Sequence, residues 1–267
     1  MRFHLSAGQR AASSADADDY VAAVLREYAL PSGPGSPAEA AARELKKLVG
    51  GWAGKYLMAI EPAGSYVKNT RVRGGTDLDL LVSLGPRTKG TVRQQYHCLF
   101  NWLKSQGLKP VTGHVTVIIQ YHGLLVDLLL ARQDWGGSGN HTVFETERER
   151  ETSTNFETHE RLVRESGRTE DIRALKIWRN LRGLRFPSFY LELVVLDALR
   201  HRAHNQPGAN LLAVLEYLRD KFVRTPFRDP ANFENRVSDE LTEHEQMAIA
   251  EAAARSLGER DWAAIVR

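Results

Sequence analysis

The chain has 267 residues, a formal net charge of +3 and ordinary globular proportions of charged (26%) and hydrophobic (42%) residues. This length can bury a core without disulfides, as one large domain or two interlocked ones. The single cysteine, Cys98, excludes a disulfide framework and a cysteine-rich zinc site, and it favours a cytoplasmic location. Residues 1–19 lack the apolar segment of a signal peptide, and no apolar stretch is long enough for a membrane span, so we expect no membrane partner.

The N-terminal half predicts a mixture of helices and strands. Residues 6–19, rich in Ala, Ser and Asp, are expected to be weakly ordered, and a first helix is predicted at 18–30. A Pro- and Gly-rich loop at 31–37 ends that helix, and Ser36-Pro37 caps a second one. This second helix is predicted at 38–48 or on to 55. Strands at 57–62 and 78–84, a helix at 91–106 and a hairpin of 115–120 with 124–130 are predicted after it.

From residue 169 onward nearly every segment predicts helix. The predicted helices are 170–182, 188–204, 209–221, 241–257 and 260–266. The sequence therefore predicts an α+β protein with two lobes. A mixed β-sheet lobe at 1–160 precedes a helical lobe at 161–267, with the boundary near 150–165.

Two aspartates, Asp77 and Asp79, stand at the start of an apolar strand. Side chains two residues apart share one face of a strand, so both carboxylates lie opposite the core-facing Leu78 and Leu80. Carboxylates held this close repel each other unless a cation lies between them. Oxygen ligands suit Mg²⁺, which also bridges to phosphates. An Asp-x-Asp pair alone is nevertheless more often structural than catalytic.

A third carboxylate, Asp127, is the only charge in the apolar segment 124–130. An isolated carboxylate in such a strand is costly unless it is paired or bound to a metal. If this strand lies beside that of Asp77 and Asp79, three carboxylates converge, as a two-metal site for nucleotidyl transfer requires. A lone strand aspartate is usually an edge or cap residue, but the joint pattern is much rarer.

Gly64-Ser65 precedes these aspartates at a suggestive spacing. Glycine lets the backbone approach a phosphate closely, and serine supplies a hydroxyl and an N–H. A helical turn beginning here would offer further N–H groups to an anion. Because Thr70 and Asp77-Leu78-Asp79 follow, the segment predicts a cradle for a triphosphate.

These residues together resemble the signature of the DNA polymerase β-like nucleotidyltransferase superfamily. Three later segments, 172–179, 186–193 and 227–237, are similar to those of the oligoadenylate synthetases and the bacterial cGAS/DncV-like nucleotidyltransferases (CD-NTases). The last of them contains the matching stretch Asp229-Pro230-Ala231-Asn232. The resemblance covers residues 55–257, and it implies the two-lobed nucleotidyltransferase fold.

The resemblance implies an enzyme that links nucleoside triphosphates, with ATP expected, into linear 2′-5′ or cyclic signals of antiviral defence and releases pyrophosphate. Mg²⁺ or Mn²⁺ would be the cofactor. The implied catalytic and metal-binding residues are Asp77, Asp79 and Asp127, and the implied nucleotide-binding residues are Gly64, Ser65, Thr70, Lys176 and Ser188. Asp127 is expected to help deprotonate the acceptor hydroxyl. Lys176 and Ser188 would hold the donor triphosphate.

The residues themselves leave blander interpretations open. Lys176 shares a helix face with Arg173 and Asn180, which is either a phosphate-facing stripe or a solvated surface, and Ser188 is an N-cap candidate. Six cations form either an RNA-contacting surface, for an activator or acceptor, or scattered charge: Lys68, Arg71, Arg73, Arg179, Arg182 and Arg185.

Two other functions compete with oligonucleotide synthesis. One is a tRNA-terminal nucleotidyltransferase of the CCA-adding type, which normally carries further RNA-binding domains. The other is a catalytically idle module that binds RNA or nucleotides, against which the three aspartates argue. Base preference, linkage, activator and oligomeric state stay open.

Overall fold

A computed structural model describes residues 7–31, 35–137 and 139–267, with the backbone alone for residues 7–15. Residues 1–6 and residues 32–34 of the predicted loop lie outside the described residues. The contacts divide the chain into two compact units. The helical unit comprises Met1–Ala29, Val163–Arg228 and Arg236–Arg267, and the sheet unit comprises Leu30–Leu162 and Asp229–Asn235. Where the sequence predicts one boundary near residue 160, this division places the N-terminal helix with the C-terminal half.

The fold class is confirmed as a mixture of helices with a mixed sheet. The helices of the described residues are α1 (Ala7–Glu27), α2 (Pro37–Ala53), α3 (Gly64–Val67), α4 (Val92–Ser105), α5 (Phe156–Glu165), α6 (Thr169–Leu181), α7 (Ser188–Ala198), α8 (Pro207–Asp220), α9 (Glu243–Gly258) and α10 (Trp262–Val266). The strands are β1 (Leu57–Pro62), β2 (Leu78–Leu84), β3 (Val111–Thr112), β4 (Thr116–Tyr121), β5 (Leu124–Gln133), β6 (His141–Glu145), β7 (Arg150–Thr154), β8 (Arg228–Asp229) and β9 (Asn232–Arg236). None of the described helices combines the length and hydrophobicity that crossing a membrane requires.

Seven strands of the sheet unit form one sheet. Its order is β1-β2-β5-β4-β3, with β6 paired to β5 and β7 to β6. β2 and β5 run parallel, whereas the other pairs are antiparallel. The register between β2 and β5 places Asp79 opposite Asp127.

Alternation along β2 and β5 places Leu80 and Leu128 on one face of the sheet, and it places Asp79 and Asp127 on the other face, beside a smaller apolar cluster that contains Leu81 and Ala131. Leu80 and Leu128 are at most 1% exposed and belong to one cluster with apolar residues of α2 and α4. Successive side chains of a strand point to opposite faces. Asp79 and Asp127 therefore project from the face that this core leaves uncovered.

α1 is longer at its N-terminus than the sequence predicted, and it ends at Glu27 rather than at residue 30. The helix includes residues 7–17, which the sequence left outside the first predicted helix, and alanine, the strongest helix former, is frequent in this segment. The helix packs closely on α8, because a Cβ on Gly208 would lie 2.6 Å from the carbonyl carbon of Ala17. Asp18 also caps α8, with its Oδ1 accepting from the Gly208 N–H at 2.7 Å.

α7 is shorter than predicted, ending at Ala198 instead of residue 204. The reason lies in Arg168, whose guanidinium is buried. It donates to the carbonyl oxygens of Leu199, at 2.8 Å, and of Ala203, at 3.0 Å. If the helix continued, these carbonyls would accept from backbone N–H groups of the next turn. Because the Arg168 guanidinium donates to them instead, the helix ends here.

The sequence did not predict β3, β6, β7, α5 or the β8–β9 hairpin, because these segments are short or rich in polar residues. Glu145 is buried in β6 only because it pairs with Arg150 at 2.9 Å and with Arg148 at 3.3 Å. In the hairpin, Asp229 Oδ1 lies 2.6 Å from Nε2 of His159 on α5. These partners are distant in sequence or charged, so hydrophobic periodicity could not reveal them.

Substitution of Leu128, which is buried in the core, tests which face of β5 packs against the helices. Leu128→Ala should lower the free energy of unfolding by about 2–5 kcal/mol, because it leaves a cavity in a closed cluster. Leu125 on the same strand is 37% exposed and is the matched control. Leu125→Ala should cost less than about 1 kcal/mol. Urea denaturation measures both, and equal losses would contradict the assignment of the two faces.

Candidate functional site

Two carboxylates face each other across the only parallel strand pair of the described sheet. Asp79 and Asp127 occupy matching positions of β2 and β5. Asp127 accepts from the Thr76 hydroxyl through Oδ2 at 3.3 Å. Its other oxygen, Oδ1, is buried and has no hydrogen-bond partner among the described residues. The condition set by the sequence, that the Asp127 strand lies beside the Asp77–Asp79 strand, is therefore met.

The surroundings of Asp127 disfavour its ionised form. Burial, followed by the negative charge of Asp79, raises the pKa of Asp127 to about 7, and the Thr76 hydroxyl lowers it by a smaller amount. Desolvation and a neighbouring like charge both penalise a carboxylate. Asp127 can therefore exchange a proton near neutral pH.

Asp77 lies one residue before β2 and is held by backbone groups at the start of β5. Its Oδ2 accepts from the Leu125 N–H at 2.8 Å, and its own N–H donates to the Leu125 carbonyl at 3.0 Å. Arg71 donates to the Asp77 carbonyl at 2.7 Å, and its guanidinium lies 4.2 Å from the centre of the Tyr66 ring. One oxygen of the Asp77 carboxylate is therefore occupied by a backbone N–H of the neighbouring strand.

Gly64 and Ser65 form the first turn of α3, against Asp79. The Ser65 N–H and hydroxyl both donate to Asp79 Oδ2, at 2.9 and 2.5 Å. Gly64 has φ +55, and a Cβ there would lie 3.0 Å from Asp79 Oδ2. Only glycine fits, since the position needs both a left-handed backbone and an absent side chain. Thr70 is fully buried, and its N–H closes the loop on the Ser65 carbonyl at 3.0 Å.

Glu160 of α5 is a site residue that the sequence did not reveal. Its Oε1 accepts from the Gly64 N–H at 3.1 Å, across 96 positions of sequence. A contact over such a separation leaves no local pattern, so only the fold could disclose it. It brings a further carboxylate to the turn that the sequence assigns to phosphate binding.

Lys176 and Ser188 lie in the helical unit. Lys176 is 3% exposed, and its Nζ lies 2.8 Å from Oε1 of Glu192. The Ser188 hydroxyl accepts from Arg179 at 3.1 Å. The solvated helix face is excluded for Lys176 by this burial, whereas its contact with a phosphate stays a prediction.

The six cations considered for RNA include several with partners inside the chain. Lys68 is buried, and Arg71 and Arg179 have the contacts described above. Arg182 donates to the Ile265 carbonyl at 3.1 Å, and Arg185 pairs with Glu245 at 3.1 Å. These engagements reduce the charge that the set offers to an RNA.

Comparison with solved structures identifies the fold. The CdnC–HORMA-deltaN complex of E. coli MS115-1 superposes with a TM-score of 0.70 at 20% identity, covering 90% of this chain and 89% of that one. CdnG, a CD-NTase of Bradyrhizobium diazoefficiens in complex with GTP, gives 0.68 at 15% identity, with coverages of 91% and 90%. DncV of Vibrio cholerae, a cyclic AMP-GMP synthase, gives 0.56 at 15% identity, with coverages of 92% and 79%.

The chain has the CD-NTase fold. No protein-family model matches its sequence. No curated protein matches it either. The fold is therefore shown at identities of 20% and below, and the activity is a separate question.

Within the CD-NTase fold, the donor set of this chain fits a divalent cation. Asp127 Oδ1 is buried without a partner among the described residues, and it belongs to a carboxylate opposed by a second one. Such an oxygen is stabilised by a cation, and carboxylate oxygens are the ligands that Mg²⁺ and Mn²⁺ prefer. In the described part of the chain, no group of three or more His, Cys, Asp or Glu side chains is arranged as a ready ligand set. This agrees with the backbone contacts that engage Asp77.

Gly64→Ala tests the close approach of α3 to Asp79. The matched control is Gly74→Ala, because Gly74 also has a positive φ, of 85°, but nothing within 4 Å of a Cβ. Both variants should lose about 1 kcal/mol of stability or more from the backbone conformation. Only Gly64→Ala should also weaken stabilisation by Mg²⁺, measured as the shift in Tm on adding the ion. Equal Mg²⁺ shifts in the two variants would refute the steric argument.

The raised pKa of Asp127 predicts a pH dependence of stability. The folded chain holds this proton up to about pH 7, whereas an unfolded aspartate releases it near its ordinary pKa of 3.8. The contribution of Asp127 to stability therefore falls as pH rises from about 4 to about 7, and the full cost persists above that. Asp127→Asn removes this cost.

In buffer containing EDTA, Asp127→Asn should have a higher Tm than the native chain at about pH 8, and the gap should close toward about pH 5. Addition of Mg²⁺ at the higher pH should raise the Tm of the native chain more than that of the variant. A gap in Tm that stays constant over the whole pH range would show that Asp127 is not perturbed.

Proposed function

We propose that the chain is a nucleotidyltransferase that joins nucleoside triphosphates into short oligonucleotides and releases pyrophosphate. The observation that carries the proposal is the pairing of Asp79 with Asp127 on parallel strands, directly against the Gly64-Ser65 turn. The CD-NTase fold supports it, since DncV is a cyclic AMP-GMP synthase and CdnG binds GTP. We therefore favour a cyclic product over a linear 2′-5′ one.

Asp77, Asp79 and Asp127 would hold Mg²⁺ or Mn²⁺ in this enzyme. The bound cation would supply Lewis-acid stabilisation of phosphoryl oxygens and would lower the pKa of an attacking hydroxyl. The proposed reaction is attack of an acceptor hydroxyl oxygen on the α-phosphorus of a donor triphosphate. The new O–P bond replaces the bond to the leaving pyrophosphate.

Asp127 is the residue we assign to the proton of the acceptor hydroxyl. Without a cation, burial beside Asp79 raises the pKa of Asp127 to about 7. A bound cation would lower it, so that Asp127 would be ionised and able to accept the proton. Asp79 supplies the second carboxylate of the pair. Arg71 places a cation beside Asp77 and Asp79, which limits the repulsion among the carboxylates.

The donor phosphates would be bound by Gly64 and Ser65. The Ser65 N–H and hydroxyl are the donors that now serve Asp79, and the Gly64 N–H is the donor that now serves Glu160. We also propose that Lys176 and Ser188 contact the donor phosphates, and that Thr70 fixes the loop that follows Ser65. ATP is the nucleotide we expect, with GTP as its partner in a mixed product.

Incubation with each labelled nucleoside triphosphate, singly and in pairs, tests the reaction. The assay contains Mg²⁺ or Mn²⁺, with and without double-stranded RNA, and chromatography separates the products. Short products that resist phosphatase indicate a cyclic oligonucleotide. Label that appears only on added tRNA would instead establish terminal transfer of the CCA-adding type. Absence of any product under all these conditions would overturn the proposal.

Asp79→Asn should lower product formation by more than about 100-fold, because it removes one carboxylate of the opposed pair. Asp220→Asn is the matched control, since this carboxylate is 51% exposed and pairs with Arg219. The control should keep its rate within about twofold. Comparable losses in the two variants, with unchanged Tm, would contradict the assignment of Asp79.

A further inference from the structure

Four polar side chains connect α6 and α7 within the helical unit. Lys176 and Arg179 stand three residues apart on α6, and Ser188 and Glu192 stand four apart on α7. Both spacings place side chains on one face of a helix. We call these four residues the α6–α7 polar cluster.

The first half of the cluster is a buried ion pair. Lys176 and Glu192 are 3% and 1% exposed, and the ammonium nitrogen lies 2.8 Å from Glu192 Oε1. A lysine is a flexible point charge on four rotatable bonds. A short contact with a rigidly packed carboxylate confines that charge to one place.

The second half connects Arg179 with the first turn of α7. The Arg179 Nη1 donates to the Phe186 carbonyl at 2.8 Å and to the Ser188 hydroxyl at 3.1 Å. Burial lowers the pKa of Arg179 to about 10, and Glu192 opposes the shift. Arg179 therefore stays charged at neutral pH, and its planar guanidinium fixes where the serine oxygen lies.

The cluster contains two cations and one carboxylate. Next to it, Asn180 accepts from Arg179 Nε at 3.0 Å, while its Nδ2 is buried without a partner among the described residues. Buried donors are normally paired, and a phosphate oxygen would be an acceptor for this one.

We propose that Glu192 and Arg179 are positioning residues for phosphate binding. Glu192 fixes the Lys176 ammonium and Arg179 fixes the Ser188 hydroxyl, so that both donors are in place before the triphosphate arrives. The inference rests on the proposed function, in which Lys176 and Ser188 contact the donor phosphates. A preorganised donor binds more tightly because no ordering of its side chain is required on binding.

The competing interpretation is that the ion pair only joins two helices. A second buried ion pair in the same unit distinguishes the two interpretations. It joins Arg168, the residue before α6, to Asp171 in the first turn of α6, and the two residues are 5% and 8% exposed. Glu192→Gln and Asp171→Asn each remove the carboxylate charge from a buried pair. Both should lower Tm, but only the first should affect nucleotide binding.

Calorimetric titration of the full chain with ATP and with GTP, in the presence of Mg²⁺, is the test. Glu192→Gln should raise the Kd for the nucleotide by about tenfold, and Arg179→Lys by a similar factor, while Asp171→Asn stays within about twofold. In turnover assays the same loss should appear in KM, with kcat nearly unchanged. Equal Kd values for Glu192→Gln and the native chain would overturn the proposal.

The double variant Lys176→Met/Glu192→Met covers the case in which Glu192→Gln does not fold. Apolar pairs of similar volume often replace a buried ion pair without loss of stability. This variant should keep its Tm and bind ATP at least about tenfold more weakly. Native affinity in it would overturn the proposal.

Failure of the proposed function is recognised separately. A native chain that binds ATP or GTP but forms no product refutes the reaction, and the Kd values still decide the roles of Glu192 and Arg179. A native chain that binds neither nucleotide overturns both.

Discussion

The opposition of Asp79 and Asp127 is the constraint on which the rest of the sheet unit depends. Two carboxylates can occupy matching positions of neighbouring strands only if the fold holds them there against their repulsion. The hydrophobic side of β2 and β5 provides that force, because Leu80 and Leu128 bury their side chains on the opposite face. Each aspartate is thus fixed by the burial of its neighbours in sequence.

The donors around these carboxylates offset part of the cost. Ser65 gives two hydrogen bonds to Asp79, Thr76 gives one to Asp127, and Arg71 adds a nearby positive charge. They leave Asp127 Oδ1 unpaired among the described residues. A buried polar atom without a partner lowers the stability of the folded chain. Such atoms are common in binding sites, where a ligand supplies the missing partner.

The sequence predicts the parts of this arrangement that are local. Apolar runs predicted β2 at its observed bounds and β5 to within three residues of its end, and the single charge inside the second run identified Asp127. The close approach at Gly64 was predicted toward a phosphate, whereas in the structure it is Asp79 that lies there. Glu160, by contrast, reaches Gly64 from 96 residues away, and the hairpin of β8 and β9 depends on His159 and Asp229. No periodicity or propensity records such pairs, since each partner looks like an ordinary surface residue.

Lys176 shows why a helical wheel is insufficient for a charged residue. The wheel separates it from Leu175 and Trp178, yet it predicts only the direction of the side chain and not which groups of the fold lie in that direction. Glu192 on the next helix turns that face into an interior, so that a lysine becomes 3% exposed and still keeps a partner. A buried lysine with a carboxylate at 2.8 Å is held more rigidly than a solvated one. Burial therefore excludes the solvated face and holds the ammonium at one place on α6, which the proposed phosphate contact would require and which the joining of two helices would also produce.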